Sequence, residues 1–301
     1  MNQRRYANAD AFKQALEARL RKKASELGQT IPRVRQRAVF DRFVARIFQH
    51  FGDRAVLKGG VALELFLSEA RMTRDVDFAF YGSSEGLQLE LARAGQLELG
   101  DFMTFEIQPH ATVPTIEGPG VVYDGFRFQV EARLAGKIYG DRFGLDVAFG
   151  DRMAIPPATL PCGDLFSFAN LPQSQARVYA REVHLAEKLH AYTLPRLTEN
   201  SRIKDLPDIV VLGTSAQFRS DDLRRAIVET FSHRASHPIP DALPRPPERW
   251  TGGYARMARE NNLPWPTLDD VFQRASAFLN PILASENGTW NPDTWSWQSS
   301  A

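Results

Sequence analysis

The chain has 301 residues, 43% of them hydrophobic, 24% charged and 11% aromatic, with a formal net charge of +1. This composition excludes a disordered or low-complexity chain, and no stretch approaches the roughly 18 consecutive apolar residues of a membrane span. The single cysteine, Cys162, excludes an internal disulfide framework and a cysteine-based zinc site. The length suits one large domain or two subdomains. Residues 1–6 carry charge with no apolar run behind them, so a cytoplasmic protein without a secretory signal or membrane partner is expected.

Residues 10–27 read as a helix, with Phe12, Leu16 and Leu20 at spacing four and Gly28 just past its end. A second helix begins near Pro32 and carries an apolar stripe through Val39, Phe43, Ile47 and Phe51, closed by Gly52. Residues 1–54 hold thirteen Lys or Arg against five Asp or Glu, clustered at Arg19, Arg21, Lys22, Lys23 and at Arg33, Arg35, Arg37. Such a lobe suits a phosphate backbone; solvated faces of two amphipathic helices are the plainer explanation.

Next comes Lys58-Gly59-Gly60-Val61-Ala62-Leu63, and after a helical segment Arg71-Met72-Thr73-Arg74-Asp75-Val76-Asp77-Phe78-Ala79-Phe80. Strand (55–58), glycine turn, helix (61–68) and second strand form one unit. Val76, Phe78 and Phe80 alternate with Asp75, Asp77 and Ala79, so both aspartates leave the strand on one face, about 6 to 7 Å apart. Carboxylates at that spacing suit a hard divalent cation, with Mg²⁺ the natural candidate and Mn²⁺ the other. A helix N-terminus after a glycine turn offers free N–H groups to a phosphate. Taken singly, each signal is weak: a pair of glycines is usually just a turn, and exposed carboxylates are common.

Gly82-Ser83-Ser84 reads as a loop and 87–94 as a helix. From 102 to 149 the period changes to two, and antiparallel strands are expected. Phe126, Phe128, Val130, Ala132 and Leu134 alternate with mostly polar partners, and the returning strand 143–149 holds one carboxylate, Asp146, among Leu145, Val147 and Phe149. An unpaired carboxylate in an apolar strand is costly, so Asp146 is a third metal ligand, a general base, or a hydrogen-bonded structural residue.

Beyond Pro156-Pro157 and Pro161 the chain reads as helical to its end: 175–194, a helix opened by Arg202-Ile203-Lys204-Asp205-Leu206-Pro207-Asp208, then 220–233 and 267–283, with a proline-rich connector at 238–247. Trp290, Trp295 and Trp297 read as packing anchors. Lys188 taken alone is a surface lysine. His184 and His190 read as surface or hydrogen-bonded histidines, since no paired-histidine zinc motif is present. The expected layout is a basic helical segment over 1–54, a carboxylate-bearing core over 55–160 and a helical lobe over 161–301.

Four ordered stretches together, LKGGVALEL, RxTRDVDF, LDVxFGD and ExxxAEKLxA followed by RxKDLPDI, resemble the AbiEii/MenT family of nucleotidyltransferase toxins across roughly residues 35–235. The resemblance implies an α+β fold: a polymerase-β-like nucleotidyltransferase core, a mixed sheet with helices, between an N-terminal helical segment and an all-helical C-terminal lobe. It implies an enzyme of a toxin–antitoxin module that moves a nucleoside monophosphate from an NTP, with Mg²⁺, to an RNA acceptor. In the MenT branch that acceptor is the tRNA 3′ end, whose modification blocks translation. A cognate antitoxin is the other implied partner. Carried over, Asp75, Asp77 and Asp146 are the metal-binding carboxylates. Lys188 holds the triphosphate, and Asp205 and Asp208 match the acidic positions of the following motif without distinguishing which is catalytic. Lys58, Gly59, Gly60, Arg71, Thr73, Arg74 and Arg202 complete the NTP-binding set. Where the commoner signature has serine after the first glycine, this chain has Gly60, and only backbone N–H groups remain for phosphate. Transfer to a protein or small-molecule acceptor, and nucleotide or antitoxin binding without turnover, are the rival readings. A two-carboxylate glycosidase fits poorly, because both aspartates leave one strand.

Overall fold

The computed structural model describes residues 6–66, 73–116, 124–150, 155–195 and 202–299. Helix α1 (Ala9–Leu27) starts where the Asn8 side chain accepts a hydrogen bond from Ala11 N, and stops at Gly28 in the left-handed region. Helix α2 (Ile31–Phe51) has Pro32 in its first turn and Gly52 at its end. Both expected helices are present. Their apolar stripes, Phe12, Leu16 and Leu20 on one and Val39, Phe43 and Ile47 on the other, are fully buried.

Along the chain follow β1 (Ala55–Lys58), α3 (Gly59–Phe66), β2 (Asp75–Phe80), α4 (Leu87–Gly95), β3 (Met103–Pro109), β4 (Asp124–Leu134), β5 (Lys137–Ile138), β6 (Phe143–Phe149), β7 (Ala158–Pro161) and β8 (Gln175–Val178). These strands form one mixed sheet in the order β3-β4-β6-β2-β1-β8-β7, with β5 added beside β4. The β3–β4 and β4–β6 pairs are antiparallel as expected. The strand with both aspartates, β2, runs parallel to β6 and antiparallel to β1.

The C-terminal lobe consists of α5 (Arg181–Thr193), α6 (Asp205–Ser215), β9 (Phe218–Arg219), α7 (Ser220–Arg234), α8 (Trp250–Glu260), α9 (Leu268–Leu283), β10 (Thr289–Asn291) and β11 (Ser296–Gln298). It is helical, with a small sheet of order β11-β10-β9 added to the helices. That ribbon delivers aromatic rings to the helical core: Trp290 pairs with Trp297 across β10 and β11. The Trp290 ring is fully buried 4.6 Å from Phe278, and its indole N–H donates to Gly213 O. The tryptophans therefore pack, as expected.

The expectation of helix from residue 161 onward fails at β8, and at the short strands β9, β10 and β11 of the lobe. Ala176 and Val178 are buried in the main sheet, with β8 parallel to β1. The first apolar core runs from Phe12 through Val178 and includes Cys162, Phe166 and Phe168. A second core joins α5, α6, α7, α8 and α9, and reaches back to Leu63 on α3. The helix carrying the glycine turn thus touches both cores, which sets the lobe against the open face of the sheet.

Four arginines of α2 are neutralised internally. Arg35 forks onto Glu17 at 2.9 and 2.8 Å, and Arg37 binds Glu64 at 2.9 Å. Arg42 and Arg46 are buried on Asp101, both at 2.6 Å. These arginines brace helices against the sheet, while Arg19, Arg21 and Lys22 of the first basic cluster stay exposed.

Candidate active site

Strand register builds the site. Lys58 on β1 faces Asp77 on β2, Asp77 faces Asp146 on β6, and Asp146 faces Arg127 on β4. Residues in register point to the same side of a sheet, with neighbouring strands about 4.8 Å apart. One row therefore reads cation, carboxylate, carboxylate, cation. Asp75 lies two residues along β2 on the same face, opposite Gly144.

Glycine makes room for both β2 carboxylates. Gly59 has φ of +66°, and a Cβ there would collide with the Asp77 carboxylate. A Cβ on Gly144 would likewise strike the Asp75 carboxylate. Gly60 abuts the Thr73 side chain, whose hydroxyl donates to Asp75 O at 3.1 Å. A serine at position 60 would need Thr73 to move, so the departure at Gly60 is matched by a hydroxyl arriving from residue 73.

The row floors a cleft of about 380 Å³ whose other wall is the helical lobe. From α5 come His184, Glu187 and Lys188; from the start of α6 and the segment before it, Arg202, Lys204 and Asp205; and from α7, Arg234. Lys188 Nζ lies 2.6 Å from Asp208 Oδ2 and 3.6 Å from Asp205 Oδ1. Asp205 lines the cleft and its buried Oδ2 has no hydrogen-bond partner among the described residues. Asp208 is buried behind the lysine. Glu187 links Arg234 at 2.9 Å with Lys58 at 3.6 Å, tying lobe to sheet.

Burial, reinforced by the neighbouring Asp146 and opposed by Lys58, pushes the Asp77 carboxyl up to about 6. Asp205 is likewise raised by burial, with Lys188 opposing. Burial, together with the charges of Lys188 and Lys58, takes His184 down to about 3, so its imidazole is neutral. His184 is 2% exposed and its Nε2 has no hydrogen-bond partner among the described residues, which corrects the expectation of a surface or hydrogen-bonded residue. His190 is hydrogen-bonded to Ser236 at 2.8 Å, as expected.

Of the residues singled out in the sequence, Lys58, Gly59, Gly60, Thr73, Asp75, Asp77, Asp146, Lys188, Arg202 and Asp205 line this cleft. Arg74 lines a separate depression beside Arg33 and Arg142. Arg71 lies outside the described residues. Arg127, Glu187, Lys204 and Arg234 were not anticipated. Arg127 could have been found only from the register of β4 against β6.

Asp75 and Asp77 suit a hard cation that takes its remaining ligands from phosphate and water. Asp146 keeps both oxygens on Arg127, at 2.8 Å each. Among the described residues no three acidic, histidine or cysteine side chains converge as a ready-made metal cage.

A glycine turn against paired strand carboxylates, faced by cations from a helical lobe, defines a nucleotidyltransferase. The chain belongs to the nucleotidyl transferase AbiEii toxin family of type IV toxin–antitoxin systems, whose model matches residues 42–274. Among solved structures it is similar to MenT4, a nucleotidyltransferase toxin from Mycobacterium tuberculosis. The identity is 20%, covering 77% of this chain and 78% of that one, with a TM-score of 0.56, which speaks to the fold. JHP933 from Helicobacter pylori is 13% identical over 65% of this chain and 77% of its own, with a TM-score of 0.38. A putative nucleotidyltransferase from H. pylori is 13% identical over 82% and 90%, with a TM-score of 0.40. A comparison with curated proteins gives no match.

Proposed function

We propose that this toxin transfers a nucleoside monophosphate from an NTP to a hydroxyl of RNA, at the 3′ end of tRNA, with Mg²⁺ as the metal, and thereby blocks translation. The observation that carries this reading is the row Lys58, Asp77, Asp146, Arg127 beside the Gly59 turn, facing Lys188 and Arg202 across one cleft. An NTP needs such a mixture: carboxylates for the cation it brings, and fixed positive groups for the charge its phosphates keep.

In the reaction the acceptor oxygen forms a bond to the α-phosphorus, and the bond from that phosphorus to the bridging oxygen breaks. Pyrophosphate leaves with the electron pair, and the acceptor proton passes to a carboxylate of the row. Asp75 and Asp77 would hold the cation, with Asp146 as a further ligand, and a divalent ion there would supply polarisation of the phosphate oxygens. Gly59 and Gly60 let the backbone approach the phosphates. Thr73 supplies the nearby hydroxyl. Lys188 and Arg202 neutralise the β and γ phosphates, Asp208 positions Lys188, and Asp205 is the acidic residue of its motif that faces substrate. Arg74 is left outside this set.

Lys204, which also lines the cleft, adds positive charge that favours a polyanionic acceptor over a small neutral one. We assign the nucleotidyl-transfer unit to residues 55–178, braced by residues 6–54, with the lobe beyond closing the cleft. The reading also implies a cytoplasmic enzyme, where tRNA is met, and a cognate antitoxin that restrains it.

The test is incubation of the full chain with each α-labelled NTP, Mg²⁺ and total tRNA, with purified protein and small-molecule acceptors in parallel. Label at tRNA 3′ ends that disappears with Asp77→Ala is the expected result. Full incorporation by Asp77→Ala, or label only in protein or small molecules, overturns the proposal.

A further inference from the structure

The three carboxylates on the sheet side of the cleft are held in different ways. Asp75 lies opposite Gly144, and Asp77 lies against the Gly59 turn in register with Lys58, whose single ammonium does not fork onto a carboxylate. Asp146 is gripped: Arg127 Nε donates to Oδ1 and Nη2 to Oδ2, both at 2.8 Å. Two parallel N–H···O bonds to a carboxylate are among the strongest and most geometrically selective side-chain contacts. This pair is built by register, because β4 and β6 place Arg127 directly opposite Asp146.

Arg127 is also partly open to the cleft, with its side chain 36% exposed against 22% for Asp146. A divalent cation would seek the same Asp146 oxygens. While the guanidinium fork holds both, Asp146 cannot offer one to a metal without giving up a bond. The other group whose geometry matches that fork is a phosphate, and this cleft is the one that receives the triphosphate. Lys58, at the opposite end of the row, is not equivalent: its ammonium lies 3.6 Å from Glu187 and over the Tyr179 ring, facing the lobe.

We propose that Arg127 exchanges partners during catalysis, binding Asp146 in the nucleotide-free enzyme and a phosphate of the bound NTP in the complex. Asp146 then becomes available to a divalent cation only once NTP is in place. This rests on the nucleotidyl-transfer reading of the cleft and adds an order to it. In the free enzyme Arg127 offsets the repulsion within the carboxylate row. When a triphosphate enters, the guanidinium meets a larger negative charge, moves to it and completes the metal site. Arg127 is at once a substrate-binding residue and the element that couples nucleotide to metal.

The experiment titrates Mn²⁺ into the full chain by electron paramagnetic resonance, with and without an NTP analogue whose α–β bridging oxygen is a methylene. Binding of the analogue in EDTA is measured by calorimetry. For wild type, Mn²⁺ affinity should rise about ten-fold with the analogue, within the usual range of coupling between two ligands. Arg127→Gln should bind Mn²⁺ about ten-fold more tightly than wild type when no analogue is present, and the analogue in EDTA about ten-fold more weakly. Arg127→Lys keeps the charge without the fork and should fall between them; it carries the test if the glutamine variant melts early. A glutamine variant whose nucleotide-free Mn²⁺ affinity is unchanged or reduced overturns the exchange, because a merely structural arginine predicts that result. A wild type that binds neither Mn²⁺ nor the analogue overturns the parent reading, and the exchange with it.

Discussion

Gly59 and Asp77 occupy mutually exclusive space: a Cβ on the glycine would stand where the aspartate carboxylate is. The glycine also sits at φ of +66°, which costs a residue with a side chain about 1 kcal/mol or more. Gly59→Ala should therefore displace Asp77. Nucleotidyl transfer should fall to the level of Asp77→Ala while the melting temperature drops only by a few degrees. Near-normal label incorporation by Gly59→Ala would show that the two residues are not coupled.

A second cavity of about 220 Å³ lies behind α3, lined by Leu57, Val61 and Leu65, with Asp41 in its wall. Burial pushes the Asp41 carboxyl up to about 6, against the pull of Arg42. Because the folded value lies above the unfolded value of about 3.9, the folded state binds the proton more tightly. The favourable contribution is present below pH 4 and is lost as pH rises through 6. Asp41→Asn should melt higher than wild type at pH 7.5, by an amount corresponding to about 3 kcal/mol at most, and lose that advantage at pH 4. Paired thermal melts across this range decide it; a gap independent of pH would remove the carboxylate as its source.

Much of the site was legible because its signals are local. Alternation alone puts Asp75 and Asp77 on one face of β2, and Asp146 stands out as a lone carboxylate among apolar neighbours. What was not legible depends on partners distant in the chain. Arg127 looked like one polar alternate of β4 until its register against β6 set it opposite Asp146. Arg35 and Arg37 counted toward a nucleic-acid surface because Glu17 and Glu64, which neutralise them, reach them only through packing. Strand β8, four residues long and running almost directly into α5, merged with the helical pattern that follows it. Helix α8 was missed although Trp250, Tyr254 and Ala258 repeat at spacing four, because Gly252-Gly253 lies inside it.

Asp101 satisfies two buried guanidinium groups at once and also accepts from Met103 N at 3.0 Å. Burial alone would raise its carboxyl, but Arg46 and Arg42 outweigh burial and hold it below the usual aspartate range. A depressed folded value means that the stabilisation is present at neutral pH and is lost as pH falls through the folded value. Asp101→Ala should destabilise by about 3 to 5 kcal/mol, the cost of stranding buried charge. Urea melts at pH 7 should show that loss, and it should shrink in acid. A change under 1 kcal/mol would mean that water reaches Arg42 and Arg46.

Lys188 has two roles that a single substitution cannot separate. It lines the cleft for substrate, and it is the cation between the buried carboxylates of Asp205 and Asp208. Lys188→Met should thus lose activity and also about 3 kcal/mol of stability, because both aspartates are left facing each other without it. Adding Asp208→Asn removes the charge nearest the missing ammonium, so the double variant should recover much of the melting temperature and none of the transfer activity. If activity returns along with stability, Lys188 acts as a structural counter-ion and the triphosphate is held by other cations of the cleft. If neither returns, the stability loss comes from the methionine's fit within α5 rather than from unbalanced charge.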